Sequence, residues 1–153
     1  MGMDLESLVN RVKQNFPETI LEASTFREEV TLHLRAAEIL AVCRFLHDDP
    51  QLAFDYLIDL CGVDHHPREP RFQVVYHLCS TKTKERLRLK VSLPGEAPRV
   101  ASAVSVWKGA DWLEREAFDM YGITFQGHPD LRRILLTPEW KGHPLRKDYP
   151  LRG

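Results

Sequence analysis

Between residues 85 and 93 the chain alternates without a slip: Leu87, Leu89, Val91 and Leu93 fall on one side, Arg86, Arg88 and Lys90 on the other. A repeat of two sends successive side chains to opposite faces of a strand, so this segment reads as β-structure with one apolar and one charged face. The apolar face must be covered by other elements of the chain. The charged face is left wet or is covered by a partner.

The cover is legible in the other periods. Leu5, Leu8, Val9, Val12 and Phe16 recur at helical spacing and predict an amphipathic first helix stopped near Pro17. Residues 20–25 and 29–35 read as a hairpin, with Val30, Leu32 and Leu34 inward and His33 on a solvated face. A second helix is predicted from Ala36 to near Asp48, with Ile39, Leu40, Cys43 and Leu46 on one side and Pro50 beyond its end. Residues 54–63 and 72–80 read as strands, the second joined to the 85–93 strand by the polar link 81–84, and residues 93–98 read as a loop leaving the sheet. A third helix spans Ala110–Tyr121, with Asp111 as N-cap, Glu114 closing a capping box, Gly122 as C-terminal stop, and Leu113, Ala117 and Met120 as its buried stripe. Strands and helices do not alternate strictly, which predicts the α+β class: a two-layer domain with a mixed or antiparallel sheet of about five strands and helices on one face.

Composition narrows the function classes. With 153 residues the chain buries a conventional core without staples. Lys plus Arg number 21 and Asp plus Glu 22, a net charge of -1, which argues against a clearly basic nucleic-acid binder and against disorder. No apolar run nears the roughly 20 residues that cross a bilayer. The N-terminus lacks the basic start and apolar stretch of a secretory signal, so the expected location is cytosolic. Cys43, Cys61 and Cys79 contain no C-x-x-C pair and read as small buried apolar thiols, with no metal or cluster expected. No G-x-G-x-x-G is present for a dinucleotide.

The domain is expected over 1–125, and an extended docking tail over 126–153, where Pro129, Pro138, Pro144 and Pro150 interrupt any period. Arg132, Arg133, Lys141, Arg146, Lys147 and Arg152 outnumber Asp130, Glu139 and Asp148, and Trp140 and Tyr149 interleave with them. Such a segment orders only by lying on its own domain or on a partner, and Arg, Trp and Tyr are the residues that anchor protein interfaces.

Three dense motifs run in order through the last third: Glu114-Arg-Glu-Ala-Phe-Asp-Met-Tyr-Gly-Ile, Gly127-His-Pro-Asp-Leu-Arg-Arg-Ile-Leu-Leu, and Trp140-Lys-Gly-His-Pro-Leu-Arg-Lys-Asp-Tyr-Pro-Leu. Together with Cys61-Gly-Val-Asp64 and Phe72-Gln-Val-Val-Tyr-His77, they resemble the family of the 30 kDa-type subunit of NADH-quinone oxidoreductase, respiratory complex I. The resemblance covers residues 20 to 151. It implies a peripheral-arm subunit that binds no cofactor itself, in a complex that uses NADH, FMN, iron-sulfur clusters and quinone. The implied partner is the large hydrogenase-like subunit at the quinone site, and the implied location is the cytoplasmic side of the cell membrane, reached through partners. Carried onto this chain, the docking residues are Glu114, Arg115, Glu116, Asp119, His128, Arg132, Arg133, Trp140, His143, Arg146, Lys147, Asp148 and Tyr149. On that reading, glutamates at Arg146 and Lys147 weaken assembly and leave folding nearly unchanged.

Other chemistries are weaker on the residues. Glu116 and Asp119 sit at i, i+3 and fit an acid–base or metal pair, but Asp111 and Arg115 at i, i+4 make a structural ion-pair lattice the better reading. Asp64-His65-His66 offers metal-ligand types, yet reads as a loop after a strand. His128 and His143, each in Gly-His-Pro, read as turn residues bonded to carbonyls rather than a zinc pair or proton relay. The rivals are the equivalent subunit of a ferredoxin- or F420-dependent quinone-reducing complex or of a membrane-bound hydrogenase, a single-stranded nucleic-acid-binding module built on the tail, and a small metallohydrolase built on Glu116, Asp119 and the 64–66 loop.

Overall fold

The structure, a computed structural model, describes residues 4–137 and 139–150. Helix α1 (Leu5–Asn15) buries Leu8 and Val12 and ends before Pro17. Strands β1 (Ile20–Phe26) and β2 (Glu29–Leu34) form the predicted hairpin. Its two-residue turn, Arg27 and Glu28, holds φ of 50° and 69°, the left-handed conformation that a tight hairpin demands. The predicted second helix begins as one 3₁₀ turn, Ala36–Glu38, and continues as α2 (Ile39–Asp48).

Strands β3 (Tyr56–Asp64), β4 (Phe72–Cys79) and β5 (Arg86–Leu93) follow, and the sheet order is β1-β2-β5-β4-β3. Every neighbouring pair is antiparallel except β2 with β5, which is parallel, so the five-stranded sheet is mixed. The fold is α+β, with α1 against β1 and α3 (Ala110–Tyr121) against β3.

The alternation predicted for β5 holds: Leu87, Leu89, Val91 and Leu93 are buried against Val30, Leu32, Leu34, Val74, Tyr76 and Leu78. The opposite face carries Arg88, Lys90, His77 and His33, half-exposed, with His33 Nε2 2.9 Å from Ser92 Oγ. Each fully buried leucine contributes roughly 1.5–3 kcal/mol relative to exposure.

Two short strands, β6 (Arg99–Ala101) and β7 (Thr124–Gln126), pair in parallel and correspond to no expected element. Strand β7 crosses position 125 and closes the C-terminal side of α3.

Helix α3 departs from the expectation in two ways. Its N-cap is Gly109, Asp111 lies inside the first turn, and no side chain caps the start, so the capping box does not form. The buried stripe is Ala110, Glu114, Ala117 and Asp119, while Leu113 and Met120 are half-buried. The first has a clear cause: Glu114 is committed to Ser102 and Ala103 instead of to its own helix end. Gly122, at φ 76°, is the expected left-handed stop, and its N–H donates to Phe118 O at 2.8 Å.

Candidate docking surface

Helix α3 divides the chain's charged motifs into those turned inward and those turned out. Glu114 is fully buried, accepting Ser102 Oγ and the Ala103 N–H, each at 2.6 Å, and burial pushes its carboxyl above the ordinary value. One and a half turns on, Asp119 is also fully buried. Its Oδ2 accepts the N–H groups of Ile134, Leu135 and Leu136 at 3.2, 2.7 and 3.0 Å, and Arg133 Nε lies 3.2 Å from Oδ1. Three backbone donors on one carboxylate bind residues 134–136 to the helix as firmly as a helix cap binds its first turn.

The described residues beyond β7 therefore lie on the chain's own domain as an irregular strap. Arg133 reaches further along it, donating to the carbonyls of Trp140 (3.0 Å) and Gly142. His143 Nδ1 is 3.0 Å from Asp119 O, which it meets as a donor, and burial lowers its pKa. Arg146 Nε donates to Tyr121 O at 2.7 Å, and its guanidinium sits 5.0 Å from the centre of the Phe72 ring. The Leu145 N–H donates to Met120 O at 3.1 Å.

The far end is fastened to the sheet. Asp64, at the end of β3, accepts Arg71 Nε at 2.8 Å, Arg71 Nη2 at 2.9 Å and the Lys147 N–H at 2.7 Å. The Arg71 hydrogen bonds hold the Asp64 carboxyl well below the usual carboxylate range, and Asp64 and Asp148 raise Arg71 in turn. Asp148 meets Arg71 Nη2 at 2.7 Å. His128 is a turn residue: its Nδ1 accepts the Asp130 N–H at 2.9 Å, and its Nε2 faces Asp111 at 3.0 Å.

Several expected site residues are thus occupied within the chain: Glu114, Asp119, His128, Arg133, His143, Arg146 and Asp148. Arg146→Glu would break a strap contact and is therefore expected to cost stability as well as assembly. The Asp111–Arg115 pair is also not formed among the described residues. Asp111 faces His128, and Arg115 lies 5.9 Å from the Trp112 ring centre with Nε 3.4 Å from Arg132 O. Glu116 and Asp119 point to different surroundings, one half-exposed and one buried, so they are no acid–base pair.

What remains outward forms a face. Trp112, Leu135, Trp140 and Leu145 are each between 44% and 54% exposed, half of the large apolar side chains exposed among the described residues. They are joined through the strap: Arg115 spans Trp112 and Arg132, Arg133 holds Trp140, and Leu135 and Leu145 share a groove with Glu116. Arg132, Lys141 and Lys147 are exposed around them, and Tyr149 is half-buried against Gly142. Sequence reasoning does not single out Trp112, Leu135 or Leu145. Trp112 has a findable signal, because it falls off the Ala110, Glu114, Ala117 stripe of its helix.

Among the described residues no group of three or more His, Cys, Asp or Glu side chains is placed to hold a metal ion, and Asp64, His65 and His66 do not converge. Cys43 is buried, while Cys61 and Cys79 are half-exposed rather than buried as expected; all three are free. No described helix is long and apolar enough to cross a membrane.

Comparison with known proteins places this arrangement. The family profile described as "Respiratory-chain NADH dehydrogenase, 30 Kd subunit" matches residues 32–153. The corresponding NADH-quinone oxidoreductase subunit of Roseiflexus sp. (strain RS-1) is 48% identical over 151 residues, covering 99% of this chain and 87% of that protein. A solved trypsin-resistant fragment of Nqo5 superposes with a TM-score of 0.68 at 29% identity, over 84% of this chain and all of the fragment. A chain of the membrane-bound sulfane sulfur reductase, an archaeal respiratory membrane complex, shares the fold with a TM-score of 0.79 at 24% identity, over 96% of this chain and 86% of that one.

Proposed function

The chain belongs to the respiratory-chain NADH dehydrogenase 30 kDa subunit family, and from that premise we propose that it serves a NADH:quinone oxidoreductase as a docking subunit without a reaction centre of its own. NADH, FMN, the iron-sulfur clusters and quinone are handled by other subunits. This chain contributes rigidity and a surface. It docks on the large hydrogenase-like subunit that shapes the quinone site, and it stays at the cytoplasmic face of the cell membrane through partners.

One observation carries the reading: the chain uses the buried carboxylates Asp64 and Asp119 and three arginines, Arg71, Arg133 and Arg146, to fix the strap, and thereby holds Trp140, Leu135 and Leu145 outward beside Trp112 of α3. Aromatic anchors held in one geometry lose little entropy on binding, which is what an interface hot spot requires.

The test is the double variant Trp112→Ala, Trp140→Ala in tagged full-length chain, recovered from gently solubilised membranes. Wild type is expected to bring down cluster-bearing subunits with NADH-dependent quinone reductase activity. The double variant is expected to recover at least about tenfold less, the consequence of losing two anchors worth over 1 kcal/mol each, while its circular dichroism stays unchanged. Equal recovery would sink the docking face.

A further inference from the structure

Strand β3 is an edge of the sheet, and its outer side is unpaired in the sheet order. Its register with β4 is unbroken from Asp59 to Asp64, and the His65 N–H donates to Arg71 O at 2.7 Å. In an antiparallel pair the bonded residues alternate. His65, Val63 and Cys61 therefore face β4 with their backbone groups, and Asp64, Gly62 and Leu60 turn theirs to the free edge.

That edge opens onto a groove of about 350 Å³ walled by Glu116, Ala117 and Met120 of α3 and by Leu135 and Leu145 of the strap. It continues past Gly62 and Tyr121 to a second hollow of about 420 Å³ beside His65 and Lys147. At Gly62 the Tyr121 ring closes onto the strand, where a Cβ would lie 2.7 Å from it, so only a glycine lets helix and strand approach this closely. The groove is polar in the electrical sense: Glu116 lies at one end, with Asp59 shared between the groove and the outer face beside His77, and at the other end Lys147 lies beside Asp64, whose carboxylate is already paired with Arg71, with apolar side chains between. Natural sheets usually blunt their edges with bulges or charges, and β3 has its register shift only before Asp59.

We propose that β3 is completed by an extended segment of a partner subunit, about six residues long, which pairs with the backbone of Leu60, Gly62 and Asp64 and lays apolar side chains on Met120, Leu135 and Leu145. The segment carries Lys or Arg beside Asp59 and Glu116, and Asp or Glu beside Lys147. Main-chain bonds supply the affinity and the charged ends set the register. The inference rests on the docking reading above and adds to it the form of the partner.

The test follows amide hydrogen exchange across 59–65 in the full-length chain, alone and in the complex that it co-purifies. Exchange at Leu60 and Gly62 is expected to slow at least tenfold on assembly. In parallel, a Cys79→Ser chain is labelled at half-exposed Cys61 with a maleimide-benzophenone and irradiated in the complex. A cross-link to a foreign segment of basic–apolar–acidic order supports the proposal. Co-purification with unchanged exchange at these amides overturns the strand pairing and leaves the docking face standing. Loss of all co-purification overturns both. A cross-link to a second copy of this chain assigns the groove to self-association and overturns the partner segment. The variant Glu116→Lys, at a half-exposed position, is expected to lower recovery of the complex about tenfold without moving the melting temperature. Unchanged recovery counts against the charge pairing.

Discussion

The sheet and the strap rest on the same body but are held by opposite chemistry. In the sheet, Leu32, Leu89, Val74 and Tyr76 are packed with essentially no exposure, and the stabilisation is spread over dozens of apolar contacts. In the strap, no described residue is buried, and the stabilisation is concentrated in two carboxylates, Asp119 and Asp64, that gather backbone N–H groups and arginines. Distributed packing loses a little with each substitution. A concentrated polar clasp loses nearly everything with one, and answers to pH as packing does not.

The largest test of that contrast is Asp119→Ala. It leaves Arg133 Nε and three backbone donors without their acceptor, so a loss of about 4 kcal/mol is expected. Fast exchange at Ile134–Leu136 beside retained protection in β4 is the signature; if sheet and strap loosen together, the two are one unit. Leu89→Ala comes next, at about 3 kcal/mol from transfer and cavity terms. Here urea unfolding should stay a single transition, and the strap amides should exchange no faster than those of β5.

Gly122→Ala is expected to cost about 2 kcal/mol. Its φ of 76° suits no Cβ, and the added atom would meet the His143 ring at 2.7 Å and Arg146 Nη2 at 2.8 Å. Thermal melting should drop, and the His143 ring resonance should shift.

Acid gives a smaller, graded version of the same experiment. Because the Asp64 carboxyl is depressed in the folded chain, its contribution is complete above the unfolded carboxylate pKa, near 4, and fades as pH falls through the lower folded value. The Lys147 amide should thus lose protection below about pH 4 before β4 does. Lys141→Ala, on the exposed side of the strap, should change stability by less than about 0.5 kcal/mol in urea titration.

Much of the sheet was legible because alternation is a local signal: β2 and β5 appear where Val30, Leu32 and Leu34 and Leu87, Leu89, Val91 and Leu93 predicted them, and β4 lies within the expected 72–80. The parallel pair β6 and β7 was not, since three residues each leave too few positions to show a period. Glu114 misled because Asp-x-x-Glu at a helix start is what a capping box looks like, and only the neighbouring Ser102 and Ala103 reveal its use. Yet Glu114 falls on the Ala110, Ala117 stripe, and a carboxylate on a buried stripe is a readable sign of a tertiary acceptor. Asp119 and Arg133 looked like surface charge because burial of a polar network has no periodic signature. The motif resemblance located them without saying that they face inward.

The single parallel contact has a further consequence, in time rather than space. The hairpin β1–β2 meets the rest of the sheet only through β5, with Leu34 beside Val91. On a ribosome, the first third of this chain therefore waits with one strand edge unsatisfied until residue 91 has emerged. Loop closure over that separation is slow relative to forming the local β4–β5 hairpin. A two-stranded hairpin on its own is marginal in water, so β1 and β2 gain their stability only once β5 arrives to pair with them.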